Sequence, residues 1–175
     1  MRQKVPFGIS IYKRVVMNEN NDLILTNIRV YYKIAKEAHL AMKHDLSRNI
    51  RSNPNGDTGW IVTFDPEQKS FKNSLIAIVF SGIFIEALFH LLITKTKGVE
   101  TFKEYDFKSY RDKLILLGCV DEKILNHSIE FKKLRKEVVH EKANLDNGQI
   151  SIAQTEAEAA INFVNEVVSY FKVYV

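Results

Sequence analysis

The sequence predicts an all-α protein, an up-and-down bundle of about five helices with a less regular N-terminal arm. Apolar residues recur every three or four positions through most of the chain, which is the helical period. Only seven glycines and three prolines occur among 175 residues, so few places favour long loops. A chain of this length suits one domain, or one domain with a small appendage, and can bury its own core. We therefore divide it into an arm over residues 1–25 and a helical bundle over residues 26–175.

The composition is that of a soluble globular protein with a mild positive charge. Charged residues make up 26% of the chain, and the formal net charge is +4. This excess permits an anionic partner but does not require one. Cys119 is the single cysteine, which excludes an intramolecular disulfide and fits a reducing compartment. The first residues lack a long apolar run, so we expect no secretory signal and a cytoplasmic protein.

The N-terminal arm, residues 1–25, combines β-branched and aromatic residues with proline and glycine. This composition predicts an extended arm or a short strand. Thr26 or Asn27 can cap a first long helix over about residues 27–50. Apolar residues recur along it at helical spacing, and lysines occupy the other face.

A dense run of turn-forming residues over 51–59 ends the first helix. Residues 60–64 follow as a short strand or as a loop that packs Trp60 onto the bundle. The next residues resemble a helix start, with Asp65 as the cap and Pro66 at the first helical position.

The most apolar helix is predicted over about residues 70–96 and stops near Gly98. It is long enough to cross a bilayer. Glu86 and His90 interrupt it, and a carboxylate inside such a run costs about 2.5–3.5 kcal/mol on insertion scales. We therefore expect a central helix packed by protein and no membrane association. An arginine or lysine is the expected partner of Glu86, and His90 is expected as a hydrogen-bonded core histidine.

Three shorter helical patterns complete the predicted bundle. The third helix covers about residues 106–117 and ends at a glycine. The fourth runs from Asp121, its cap, to a break at residues 144–148. The last opens on a capping-box pattern formed by Thr155 and Glu158 and continues almost to the end of the chain.

The fourth helix carries the most basic stretch of the sequence. Lys132, Lys133, Arg135 and Lys136 precede two valines and His140. At about 100° per residue, Arg135 flanks the core stripe, and His140 falls about 140° away among the lysines. The two side chains therefore do not converge within one ideal helix. The reach of the arginine side chain, an irregularity in the helix, or a second copy of the protein would be needed to bring both residues to one substrate.

The segment 134–140 fits an R-x4-H pattern with a polar residue after the arginine. It lies on the next-to-last helix of a small bundle that ends in an alanine-rich helix. In these respects residues 26–175 resemble the HEPN (higher eukaryotes and prokaryotes nucleotide-binding) domain. The resemblance implies a metal-independent ribonuclease that acts as a homodimer, with two Arg/His pairs in the interface cleft. It implies that His140 is the general acid/base for attack of the ribose 2′-hydroxyl, and that Arg135 binds the scissile phosphate.

The same resemblance assigns Lys132, Lys133 and Lys136 to flanking phosphates of an RNA substrate, independently of sequence. It further implies a toxin or defence role, with an antitoxin or a nucleotidyltransferase-type protein as partner. Lys136 stands where the family often has asparagine, and Glu141 where it often has glycine. Members regulated by tyrosine modification carry H-x-Y. Lys142 takes the place of that tyrosine, so this regulation is not carried over.

Two other interpretations stay open at this point. Many HEPN domains are non-catalytic and serve in dimerisation or in binding a nucleotide or a protein. Arg135 and His140 are also compatible with a solvated arginine and a surface histidine. His39 and His44 are five residues apart and do not form the i, i+4 zinc pattern, so we expect neither a metal nor a cofactor. His127 is expected as a hydrogen-bonded core histidine.

Overall fold

The computed structural model describes residues 15–17, 23–48, 50–52, 60–62, 66–139 and 153–174. Within these ranges the predicted all-α bundle is confirmed. The helices are α1 (Ile28–Arg48), α2 (Lys69–Lys97), α3 (Val99–Tyr105), α4 (Tyr110–Leu116), α5 (Glu122–Val139) and α6 (Ala153–Tyr170). Four short strands accompany them, β1 (Val15–Met17), β2 (Leu23–Leu25), β3 (Ile50–Ser52) and β4 (Trp60–Val62).

The strands form two antiparallel hairpins. β1 pairs with β2, with Val16 opposite Ile24, and β3 pairs with β4, with Arg51 opposite Ile61. The first hairpin lies within the predicted N-terminal arm, whereas residues 5–12, whose composition indicated an extended arm or a short strand, lie outside the described residues. β4 confirms the strand interpretation of the residues that follow the turn-forming run. β3 immediately follows the end of α1 and was not indicated by the sequence.

Helix α2 is the centre of the bundle and packs against α1, α3, α4, α5 and α6. Its fully buried side chains include Ala77, Ile78, Phe84, Ile85, Leu88 and Phe89. Among the described residues it is the one helix long and apolar enough to cross a bilayer. However, 61% of its most apolar window is buried within the protein. This burial is what a central core helix requires.

Helices α1 and α6 flank α2 and are joined to each other by a polar contact. Nε2 of His39 lies 2.6 Å from Oε2 of Glu158, and His39 is only 6% exposed. On α6, Ala157 and Ala160 are fully buried, and such small side chains allow close approach of helix backbones. The capping box predicted at Thr155 is wrong, because α6 already begins at Ala153 and Glu158 pairs with the histidine of α1 instead.

Two helix starts were predicted correctly, those of α1 and α5. Oγ1 of Thr26 accepts a hydrogen bond from the Ile28 amide at 3.2 Å, and Oδ1 of Asp121 accepts from the Lys123 amide at 2.9 Å. The predicted start of α2 with Pro66 in the first turn is wrong. Gln68 has a left-handed φ of 53°, which interrupts the helical path between the proline and Lys69.

The helix predicted over about 106–117 is the shorter α4, which follows a turn over residues 106–109. Helix α3 lies before this turn, where the sequence predicted no helix. No residue of α3 is fully buried, so α3 lacks the apolar stripe that reveals a helix in a sequence. Ser109 begins α4 through a capping box with Asp112, in which each side chain bonds the other residue's amide. Gly118, at φ 86°, ends α4 as predicted. The turn places residues of α4 beside α2 and α5.

The central position of α2 predicts a large difference between two phenylalanines on that helix. Phe84 is fully buried, whereas Phe71 is 44% exposed. We expect Phe84→Ala to lower the free energy of unfolding by about 3–5 kcal/mol, because it leaves a cavity in the core. The matched control Phe71→Ala should change it by about 0.5 kcal/mol or less. Urea denaturation in detergent-free buffer measures both values, and equal effects would contradict this packing.

Candidate anion-binding site around Arg135

Packing of α5 fixes the direction in which Arg135 points. Ile124, Phe131 and Leu134 are buried at 9% exposure or less, which confirms the predicted core stripe. Arg135 follows this stripe and is directed towards α2 and α4. Its side chain is 26% exposed, so it is partly withdrawn from water. The predicted position of Arg135 at the flank of the core is therefore confirmed.

Arg135 is held by two partners from different helices. Its Nη1 donates to Oε1 of Glu86 on α2, and its Nη2 lies 3.4 Å from Oε2 of the same carboxylate. Nη1 also donates to the Tyr110 hydroxyl on α4 at 2.8 Å. That hydroxyl donates in turn to Oε1 of Glu86 at 3.0 Å. We call these three residues the Arg135 cluster. It connects α2, α4 and α5 through one network of hydrogen bonds.

Gly82 makes room for the Arg135 side chain on the surface of α2. A Cβ atom at position 82 would overlap Cδ and Nε of Arg135. Gly82 itself is buried, and Nε of Arg135 has no hydrogen-bond partner among the described residues. The absence of a side chain at this position therefore allows the guanidinium to reach Glu86, one helical turn further along α2.

The two polar partners change the protonation behaviour of the cluster. Burial raises the pKa of Tyr110, and the adjacent Glu86 carboxylate raises it further, so the phenol stays protonated and donates. For Arg135, burial alone would lower the pKa. The contributions of Tyr110 and Glu86 outweigh burial, and the pKa rises. The guanidinium therefore remains a cation.

Arg135 forms part of the wall of a surface pocket of about 300 Å³. We call it the basic pocket, because its lining includes five cationic side chains and only two carboxylates. The cations are Lys108, Lys113, Lys132, Arg135 and Lys136. The carboxylates are Glu86 and Asp106, and the aromatic rings of Phe107 and Tyr110 complete the lining. A pocket with this excess of cations attracts anions.

Lys113 is the most buried cation of the basic pocket, with an exposure of 6%. Its Nζ donates to the backbone carbonyl of Asp106 at 2.7 Å. Burial lowers the pKa of Lys113, since an ammonium loses hydration inside the protein, although nearby carboxylates partly oppose this effect. An ammonium has three donors, and this is its one hydrogen bond within the described part of the chain. Its other N–H groups have no hydrogen-bond partner in that part of the chain.

The structure separates the three lysines that the sequence grouped together. Lys132 and Lys136 are exposed and line the basic pocket beside Arg135. Lys133 instead lines a larger groove between α5 and α6, where its Nζ lies 3.9 Å from Oε1 of Glu137. His140 lies outside the described residues, as do the two positions that follow it. Its predicted place opposite Arg135 stays a prediction.

The expected partner of Glu86 is confirmed as an arginine, but the carboxylate is half exposed rather than buried. The expectation for His90 is wrong. Its ring is exposed and stacks on Phe102, with ring centroids 3.8 Å apart, because this face of α2 is covered only by the short helix α3. His127 does form a hydrogen bond, at 2.7 Å to Oε2 of Glu166, although it is 37% exposed and lies at the edge of the core.

Sequence reasoning missed Tyr110, Lys113, Phe107 and Gly82 as members of this site. Tyr110 and Lys113 resembled ordinary residues of a predicted third helix, and nothing in the helical period relates that helix to Arg135. Gly82 offered one signal, a glycine inside an otherwise strong helix, which often marks a close approach. Only the folded arrangement of α2, α4 and α5 brings these residues together.

Within the described ranges, no group of three or more His, Cys, Asp and Glu side chains could hold a metal ion. Comparisons with protein-family models, with curated proteins and with solved structures find no match for this chain. The residues of the site offer hydrogen-bond donors and positive charge, the groups that bind a phosphate.

The contact between Gly82 and Arg135 predicts an unusual response to a glycine-to-alanine change. Inside a helix this change normally stabilises by about 0.8–1.0 kcal/mol. Here we expect Gly82→Ala to destabilise by about 1–3 kcal/mol, because the new methyl group displaces Arg135. In an Arg135→Ala background the same change should be neutral or stabilising. Chemical denaturation of the four proteins measures the coupling, and additive effects would contradict the contact.

Proposed function

We propose that this chain is a metal-independent endoribonuclease of HEPN type that acts as a homodimer in the cytoplasm. The observation that supports this proposal most is the basic pocket, where Arg135 lies beside Lys132 and Lys136. The R-x4-H pattern within residues 134–140 adds His140 to the same predicted helix as Arg135. Together they supply the two residue types that cleavage next to a ribose 2′-hydroxyl needs, a phosphate-binding cation and a proton-transfer group.

In the proposed reaction His140 accepts the proton of the 2′-hydroxyl. The 2′-oxygen bonds to the adjacent phosphorus, and the bond to the 5′-oxygen of the next nucleotide breaks. Protonated His140 returns its proton to that oxygen, and the products are a 2′,3′-cyclic phosphate and a 5′-hydroxyl end. Arg135 stabilises the negative charge of the pentacoordinate transition state. Lys132 and Lys136 bind flanking phosphates, which positions the strand without reading its bases.

We propose a homodimer because Arg135 and position 140 lie on different sides of an ideal helix. Arg135 is directed inward, towards Glu86 and Tyr110. On an ideal helix the position of His140 diverges from it by about 140°. A cleft between two copies of this helix would supply both groups to one phosphodiester. A nuclease that does not read bases endangers its own cell, so we further propose a toxin or defence role, restrained by an antitoxin or a nucleotidyltransferase-type partner.

A second candidate function is a non-catalytic HEPN-like module for dimerisation or for nucleotide or protein binding. One specific observation favours it. Nη1 of Arg135 already donates to Glu86 and to Tyr110, so part of the guanidinium serves the fold. In this case the cluster is a structural connection between helices, and the basic pocket binds an anion without cleaving it.

RNA cleavage in EDTA separates the two candidates. We expect the wild-type protein to cut total RNA, and Arg135→Ala or His140→Ala to reduce the rate by about 100-fold or more, because each removes a group that acts in the transition state. Lys132→Ala and Lys136→Ala should weaken RNA binding, and Lys133→Ala should do so less, since Lys133 lines a different groove. End-group analysis should find 2′,3′-cyclic phosphates.

Matched controls are available on the same chain. Arg111→Ala removes a surface arginine of α4 that bonds Asn126 and Glu122, and His44→Ala removes a histidine whose side chain is 67% exposed. Neither should affect cleavage. The proposal fails if the wild type does not cut RNA, or if the variants at Arg135 and His140 cut it as fast as these controls. Circular dichroism verifies that all variants are folded.

A further inference from the structure

Phe107 is the most exposed large apolar side chain in the described part of the chain, at 93%. It lies on the turn between α3 and α4 and lines the basic pocket. A single exposed apolar residue is common on protein surfaces and is not by itself a sign of function. Phe107 differs from such residues because it lies among the cations of the basic pocket.

The turn that carries Phe107 is fixed on both sides by hydrogen bonds. The Lys108 amide donates to the carbonyl of Tyr105 at 3.0 Å, and the Ser109 capping box closes the start of α4. Nζ of Lys113 on α4 donates to the carbonyl of Asp106 on the turn, and this hydrogen bond holds the turn against α4. The phenylalanine therefore projects from a braced backbone, and holding it in place for a ligand costs little additional ordering.

Cations lie on the other sides of the basic pocket. Lys108 adjoins Phe107 in sequence, while Lys132 and Lys136 face the pocket from α5. Lys113 lies deeper, with donors left over after its bond to the turn. An uncovered aromatic ring beside several phosphate-binding cations is the combination that binds single-stranded nucleic acid, because the ring stacks on a base while the cations contact the backbone.

We propose that Phe107 stacks on a nucleobase of single-stranded RNA while Lys113 and its neighbouring lysines bind the adjacent phosphate. This inference rests on the proposed function, since it names the form of RNA that the same site accepts. A base is free to stack on a protein side chain only when it is unpaired. The basic pocket therefore selects single strands and bulges over duplexes, without requiring a particular sequence.

The buried position of Lys113 agrees with this assignment. An ammonium that is 6% exposed loses hydration, and in the free protein it regains one hydrogen bond to a carbonyl rather than an ion pair. A bound phosphate would add a charged hydrogen-bond partner to the influence of the nearby carboxylates. We therefore expect Lys113→Met to lower the affinity for single-stranded RNA by about ten-fold, because it removes the ammonium and its hydrogen bond to the turn.

The test uses a fluorescently labelled single-stranded 2′-O-methyl RNA of about twelve nucleotides, a length that covers one binding groove. It lacks the 2′-hydroxyl and cannot be cleaved, so fluorescence anisotropy with the full chain measures binding alone. We expect Phe107→Ala to weaken binding by about ten-fold or more. Phe107→Trp should retain it, and Phe71→Ala, the exposed control on α2, should not change it. Binding to the corresponding duplex should be the same for wild type and Phe107→Ala.

The outcomes separate this inference from the proposed function. If Phe107→Ala binds the single strand as well as Phe71→Ala does, the inference is overturned, whether or not the protein cleaves RNA. If binding depends on Phe107 but no variant or wild type cleaves natural RNA, the inference holds and the proposed nuclease fails. If Phe107→Ala changes the elution volume of the free protein and not its RNA affinity, the ring packs on a second copy of the chain and the inference is overturned.

Discussion

The contact between Arg135 and Glu86 determines the arrangement of the whole site. It joins the basic helix α5 to the central helix α2, and Tyr110 adds the short helix α4 to the same network. The contact depends on Gly82, because any side chain there would occupy the space of the guanidinium. With these groups in place, the turn before α4 is held next to α5, and Phe107 and Lys113 line the same pocket as Lys132 and Lys136.

Arg135 both pairs with Glu86 and lines the basic pocket. Glu86 neutralises much of its charge in the free protein, yet the carboxylate is half exposed and therefore reached by water and salt. Such a pair contributes modestly to stability, and a phosphate can compete for the guanidinium. The remaining cations keep the basic pocket positive even with Glu86 and Asp106 present. The pocket is thus preorganised for an anion, and its exposed ring adds a contact for a flat, unpaired base.

The features that depend on nearby residues alone, such as core faces and helix caps, could be predicted from the sequence. The helical period identified the core faces of α1 and α5, and the caps at Thr26 and Asp121 marked two helix starts. The helical wheel placed Arg135 at the edge of the core. The helical period could not identify Tyr110 or Lys113 as members of the site. Their position beside α5 depends on the turn between α3 and α4, and no periodic pattern predicts this turn. The capping-box prediction at Thr155 failed because this pattern lies inside α6, which begins at Ala153. Glu158 pairs with His39 of α1 instead.

In the proposed complex Arg135 binds a phosphate of the strand, and Glu86 competes with that phosphate for the guanidinium. The decisive measurement is the affinity of Arg135→Gln and Glu86→Gln for uncleavable single-stranded RNA. Glu86→Gln keeps the shape of the cluster and removes its negative charge, so we expect stronger binding, by about three-fold or more. Arg135→Gln should weaken binding by about ten-fold. Equal weakening by both changes would contradict the account, since it would make the cluster purely a structural support for the fold.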